Sequence, residues 1–179
     1  MFGINLHWAA LGALPGTMIL LAATPAGTDL APVSGKFAMK YSQQHALPVA
    51  DAAGPVLLAN EAKGTNSNTG RTEYMDGAAV TILETADLSQ GNGPHQGYVT
   101  LAKDGETTRN RFSGHVTTKL TAEKQPITTF EGTWTKIGGS GRYDGVSGKG
   151  RYKGRMLSPT DYVIEWDGEL NLRDKTAGR

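Results

Sequence analysis

Glu84 is the carboxylate with the most suggestive company in this chain: Val80, Ile82, Ala86 and Leu88 flank it at even spacing. On an extended strand all five share one face. A carboxylate held among apolar side chains is disfavoured as the anion and becomes a candidate acid or base. The plainer alternative is a carboxylate near a mouth, reaching water or bonded to Asn110 or a tyrosine. Asn110 shares the parity of Phe112 and is expected to point the same way as that ring. Other chemistry is thin. His45, His95 and His115 are the histidines beyond the first 28 residues, and they read as loop, turn and outer-face positions. No His-x-His or H-E-x-x-H spacing occurs, so no metal site is expected. Ser113 and Ser147 lack a G-x-S-x-G setting, and there is no cysteine to serve as thiol nucleophile or disulfide.

Lys149, Arg151, Lys153 and Arg155 alternate along one strand face. Such a stripe suits an anion or a polysaccharide. Pairing suggests otherwise. A short Ser158-Pro159-Thr160 connection sets Lys153 opposite Glu165, Arg151 opposite Asp167 and Lys149 opposite Glu169. The same register puts Tyr152 opposite Trp166 on the other face, so a one-residue slip would set charges against rings. The stripe is therefore expected to be a neutralised outer face. With 18 Lys+Arg against 17 Asp+Glu, the chain has no global field for nucleic acid.

The elements that must hold these residues read as strands. From Ser34 onward, period-2 alternation recurs between Gly, Pro, Asn and Asp clusters, with no apolar stripe of helical period. The segments are 34–42, 55–65, 78–88, 95–103, 106–120, 127–137, 147–157 and 160–172. Residues 43–54, 64–77 and 89–97 read as loops or turns. Asp104-Gly105 is a two-residue hairpin signal, and pairing Lys103 with Glu106 puts Leu101 opposite Thr108 and Val99 opposite Asn110. One face of these strands is aromatic and glycine-rich: Phe37, Met39 and Tyr41; Phe112, Gly114, Val116 and Leu120; Phe130, Gly132 and Trp134; Tyr162, Ile164, Trp166, Gly168 and Leu170. Glycine within strands suits a tightly coiled sheet closing on itself. The fold class is all-β, a single antiparallel eight-stranded barrel with room for side chains or one small ligand.

Residues 138–152 (GGSGRYDGVSGKGRY) carry a family resemblance. The pattern GG-x-G-x-aromatic-x-G-x-x-G-x-G resembles that of allene oxide cyclase, dirigent proteins and bacterial, exported barrel relatives. Trp134 before it and Trp166-Asp167-Gly168-Glu169 after it extend the resemblance over Thr129 to Leu170. It implies a calycin-like, allene oxide cyclase-like barrel, with the motif turning between two strands. It brings no catalytic residues with it. Within the motif, Gly139-x-Gly141-Arg142-Tyr143-x-Gly145 repeats as Gly148-x-Gly150-Arg151-Tyr152-x-Gly154. A phosphate cradle is not expected, since no GK[ST] and no following helix accompany the glycines.

The first 28 residues hold no Lys, Arg, Asp or Glu, and Leu6 to Ala23 is almost wholly apolar or small. The organisation expected is a leader or signal peptide at 1–26, a linker at 27–33, the barrel at 34–172 and a polar tail at 173–179. A membrane anchor is the alternative, weakened by Pro15-Gly16. The protein is expected to be secreted or periplasmic and, once the leader is removed, free of the membrane. The leading functional expectation is a non-catalytic barrel, structural or holding a small apolar ligand through Tyr41, Glu84, Asn110, Trp134, Tyr152 and Trp166, with no cofactor. An isomerase or cyclase using Glu84 and an envelope interaction module are the alternatives. N-terminal sequencing of the protein from its native host is expected to begin between Thr24 and Gly27; an intact Met1 on membrane-bound material would mean an anchor.

Overall fold

Alternating burial organises the barrel, and it follows the alternation of residue types. The computed structural model describes residues 30–49 and 54–172. The leader, residues 27–29 and the tail from 173 lie outside the described residues. The strands are β1 (Leu30–Pro48), β2 (Val56–Asn68), β3 (Ala79–Leu88), β4 (Gly93–Lys103), β5 (Glu106–Leu120), β6 (Pro126–Gly139), β7 (Ser147–Met156) and β8 (Asp161–Asn171), with a 3-10 turn at Gly141–Tyr143 between β6 and β7. Each strand pairs antiparallel with the next, and β8 returns to β1, closing the barrel.

Both hairpin registers expected from the sequence are present. Lys103 pairs with Glu106 and Val99 with Asn110 across β4 and β5. Asp104 and Gly105 make the turn with φ of 51° and 79°, a left-handed pair that suits Asp-Gly. Across β7 and β8, Lys149, Arg151 and Lys153 pair with Glu169, Asp167 and Glu165. Arg151 lies 3.3 Å from Asp167 and Lys153 3.2 Å from Glu165, all four side chains exposed. Such pairs contribute about 0.2–1 kcal/mol each, so they set register more than stability.

Several segment boundaries differ. β1 takes in residues 30–33, expected as linker, and 43–48, expected as loop. After a register shift between Tyr41 and Gln43, the end of β1 pairs with β2 as an exposed arm. Neither face of that arm is buried, so no apolar alternation marks it. β2 runs on to Asn68 into the expected loop 64–77. β4 begins at Gly93, within the stretch expected to be a turn. Leu120, expected inward, is exposed, because β5 there has passed the last buried ring of side chains at Val116.

The core is built from rings set over glycines. Phe112, Phe130, Trp134, Tyr152, Tyr162, Ile164 and Trp166 are all buried. A methyl group on Gly150 would stand 2.5 Å from the Trp134 ring, and Gly168 faces the same ring. Phe130 lies over Gly154, Trp166 over Gly35, and the Tyr152 hydroxyl over Gly114 and Gly132. Trp134 and Trp166 meet edge to face at 6.4 Å.

One end of the barrel is sealed. The connection between β2 and β3 folds over it, burying Tyr74, Met75 and Ala78. Asn66, itself buried, holds this connection by donating to the carbonyls of Tyr74 at 3.2 Å and Met75 at 2.7 Å. Tyr143 of the 3-10 turn packs edge-on against Tyr74 at 5.5 Å. Trp134→Ala is expected to cost about 3–5 kcal/mol as a core truncation, measured by denaturant unfolding. A variant as stable as its parent would contradict the packing of Trp134 described above.

Candidate functional site

The sealed end gives the lumen a floor. Above it lies a cavity of about 290 Å³. Its floor and lower wall are Tyr74, Trp134, Lys136 and Trp166, and its upper wall reaches Gln44, Leu58, Leu88, Thr118, Thr128 and Met156. The upper residues are partly or fully exposed, and none of the described residues closes that mouth. That volume is close to the lower end of the range of small-molecule pockets, about 300–1,000 Å³.

Three strands build a polar cluster on the wall. Glu84 on β3, His95 on β4 and Tyr152 on β7 form a hydrogen-bonded chain. His95 Nδ1 lies 2.6 Å from Glu84 Oε1, and His95 Nε2 lies 2.9 Å from the Tyr152 hydroxyl. A carboxylate accepts, so Nδ1 carries the proton towards Glu84, and in the neutral ring Nε2 accepts from Tyr152. Glu84 Oε2 also accepts from Asn60 Nδ2 at 3.2 Å and from the Tyr41 hydroxyl at 3.4 Å. The side chains of His95 and Glu84 are 3% and 12% exposed, so water competes little for these bonds. Phe112 and Phe130 pack edge-on against the imidazole at 5.5 and 5.9 Å.

Burial raises the Tyr152 phenol well above its ordinary range, and the Glu84 charge adds to this. Burial does the same to Tyr41 and Tyr162, again with a contribution from Glu84. These tyrosines stay protonated at neutral pH and act as donors, not nucleophiles. The wall can therefore orient a polar group or hold a proton on the Glu84–His95 pair.

The floor carries a lysine amine. Lys136 on β6 is 7% exposed. Its Nζ donates to the Tyr74 hydroxyl at 2.5 Å, and Tyr74 donates to Thr108 Oγ1 at 2.7 Å. Nζ also stands 4.9 Å from the Tyr74 ring centroid and 5.8 Å from that of Trp134. Lys136 forms no ion pair among the described residues. Desolvation alone brings its amine from 10.5 down to about 7.

All six residues expected around a ligand, Tyr41, Glu84, Asn110, Trp134, Tyr152 and Trp166, line this one cavity. The partners of Glu84 are a tyrosine, Asn60 and His95; Asn110 is not among them. His95, expected in a turn, is instead a buried residue of β4, where it shares parity with Val99 and Leu101. Lys136, Asn60 and Tyr74 are further site residues beyond that expectation. Lys136 follows Phe130 and Trp134 at even spacing, and the register shift opposite Arg109 and Asn110 comes only after it. His45 and His115 are exposed. Among the described residues no group of three His, Asp or Glu side chains could hold a metal ion.

Some polar atoms of the lumen lack partners. Among the described residues, Asn60 Oδ1, Asn110 Oδ1 and Trp166 Nε1 are buried without a hydrogen bond, and all three residues line the cavity. An unsatisfied buried group costs about 1–3 kcal/mol, which a ligand in the lumen could recover.

No protein-family model matches the sequence, and no curated protein matches it. Among solved structures, the chain is similar to the pterocarpan synthase dirigent protein GePTS1, with 10% identity over 82% of this chain and 87% of that one, at a TM-score of 0.44. It is also similar to the pterocarpan synthase dirigent protein PsPTS1, with 12% identity over 79% of this chain and 94% of that one, at a TM-score of 0.40. At these identities no side chain of the site is carried over from either.

Lys136 generates a prediction with a definite sign. Its amine binds a proton less readily folded than unfolded, so the folded state holds fewer protons between about pH 7 and 10.5. Stability rises with pH across that window, and below it the fold bears the full cost of a buried cation. Lys136→Met leaves Tyr74 bonded to Thr108. It is expected to stabilise the barrel at neutral pH by a few kcal/mol, on the order set by the shift, and to flatten the rise. Denaturant unfolding from about pH 6 to 10.5 checks both.

Proposed function

We propose that this chain is a non-catalytic barrel that holds one small, mostly apolar ligand in its lumen. The observation that carries this reading is the cavity of about 290 Å³, sealed at one end and lined largely by rings and aliphatic side chains. Its few polar groups converge from different strands, the usual composition of a small-molecule site. A barrel filled solid by its aromatic residues would have favoured an interaction module working from the outer surface. The outer basic stripe, with two of its cations in ion pairs, offers that alternative little. The charge-free N-terminal run supports export to a secreted or periplasmic location.

A second reading has one observation in its favour. The hydrogen-bonded run from Glu84 through His95 to Tyr152 could move a proton, as an isomerase or cyclase acting on an apolar substrate would require. The raised phenol of Tyr152 restricts it to a donor, which leaves Glu84 as the base.

Two variants test these readings together. Ala86, a buried residue of the cavity wall, is small, so Ala86→Phe narrows the lumen. Native mass spectrometry of small molecules co-purifying with the protein is expected to show one ligand bound to the parent and none to this variant. Glu84→Gln is expected to lower stability by about 1–3 kcal/mol through weakening of a charge-assisted bond, while ligand is retained. If it abolished conversion of the bound molecule with stability unchanged, the catalytic reading would replace the binding one.

A further inference from the structure

We propose that the floor of the lumen is an anion site, and that Lys136 receives the carboxylate of a ligand whose apolar tail extends towards the open mouth. The inference rests on the lumen-binding reading above and adds the chemical class of the ligand. Buried cations are ordinarily paired, and among the described residues Lys136 has no ion pair and one hydrogen-bond acceptor, the Tyr74 hydroxyl. An ammonium has three N–H donors, so two remain for a ligand beside that bond. Asn110, the direct cross-strand partner of Lys136, lines the same cavity and brings a side-chain amide to the same end of the lumen.

The two ends of the cavity differ in sign. The groups facing Lys136 are the Tyr74 hydroxyl from the β2–β3 connection and the Trp134 ring from its own strand, with Thr108 behind Tyr74. Neither Tyr74 nor Thr108 carries charge at neutral pH. The carboxylate in the lumen is Glu84, whose oxygens are already engaged by His95, Asn60 and Tyr41. A ligand carboxylate is repelled at that wall and attracted at the floor. Phe112, Val116, Phe130 and Ile164 line the same cavity and offer only apolar surface to the remainder of the ligand. The orientation is therefore head down and tail up.

Carboxylate binding would also restore the proton that desolvation displaces from the amine. A neutral head group of the same shape would leave the amine as it is. The proton balance thus distinguishes a carboxylate received by Lys136 from a ligand held by apolar contact alone.

Octanoate and 1-octanol, which share an eight-carbon skeleton and differ in the charge of the head group, serve as probes in calorimetric titrations of the full chain. Octanoate is expected to bind the parent at least tenfold more tightly than 1-octanol. At about pH 8, octanoate binding is expected to take up a proton, seen as heat that varies with the buffer's ionisation enthalpy, whereas 1-octanol binding is not. In Lys136→Met the octanoate preference should vanish while 1-octanol affinity stays within about twofold. Equal binding of both probes by the parent, or a preference that survives in the variant, overturns the floor assignment and leaves the lumen reading standing. Failure of both probes to bind the parent overturns the lumen reading as well.

Discussion

A ring can enter the lumen of an eight-stranded barrel only where a neighbouring strand gives up its side chain. This exchange of bulk for backbone is the constraint on which the rest of the structure depends. Trp134 lies across Gly150 and Gly168, Trp166 across Gly35, and Phe130 across Gly154. The glycines on β7 and β8 let tryptophan and phenylalanine fill the centre without spreading the strands. Where large residues do not meet such gaps, the interior stays open. The cavity is thus the complement of a pattern in which rings are distributed unevenly around and along the barrel.

The same economy of space explains the polar residues. Tyr152 reaches over Gly114 and Gly132, which carries its hydroxyl across the lumen to His95. A side chain at either glycine would block that reach. The Glu84–His95–Tyr152 chain therefore ties β3, β4 and β7 together through the interior, in addition to the ladders around the outside. Lys136 sits at the other extreme, an amine held by two hydroxyls in series beside the Trp134 ring. Its burial places a desolvation cost at the sealed end of the fold.

Legibility in the sequence followed burial. Where one face of a strand is buried, alternation reveals it. Phe112, Phe130, Trp134, Tyr152, Tyr162 and Trp166 are all read correctly, and the two tight hairpins fix their own registers. The arm 43–48 and the end of β2 are strands without a buried face or with little apolar content, so composition marks them as loop. His95 is hidden for a different reason. Gly91, Gly93 and Pro94 around it signal a turn, yet its parity with Val99 and Leu101 already placed it inward. Lys136 is the more instructive omission. Parity with Phe130 and Trp134 points it into the lumen, and only the habit of assigning charge to solvent argues against that. A cation on an aromatic parity is a stronger sign of function than a carboxylate flanked by aliphatics, because its burial has a higher cost.

A lumen whose described residues form a floor at one end and a mouth at the other separates two properties that a tunnel would mix. Under the binding reading proposed above, a ligand would leave by the mouth through which it came, with water passing it in the opposite direction. The rim residues Gln44, Leu58, Leu88 and Met156 would then govern how fast exchange occurs, while Lys136 and its hydroxyls would govern how firmly the ligand is held. Residence time and selectivity would be set at opposite ends of the same strands. Change at the rim would tune one without disturbing the other, and a ligand longer than the lumen would be tolerated at the mouth but not at the floor.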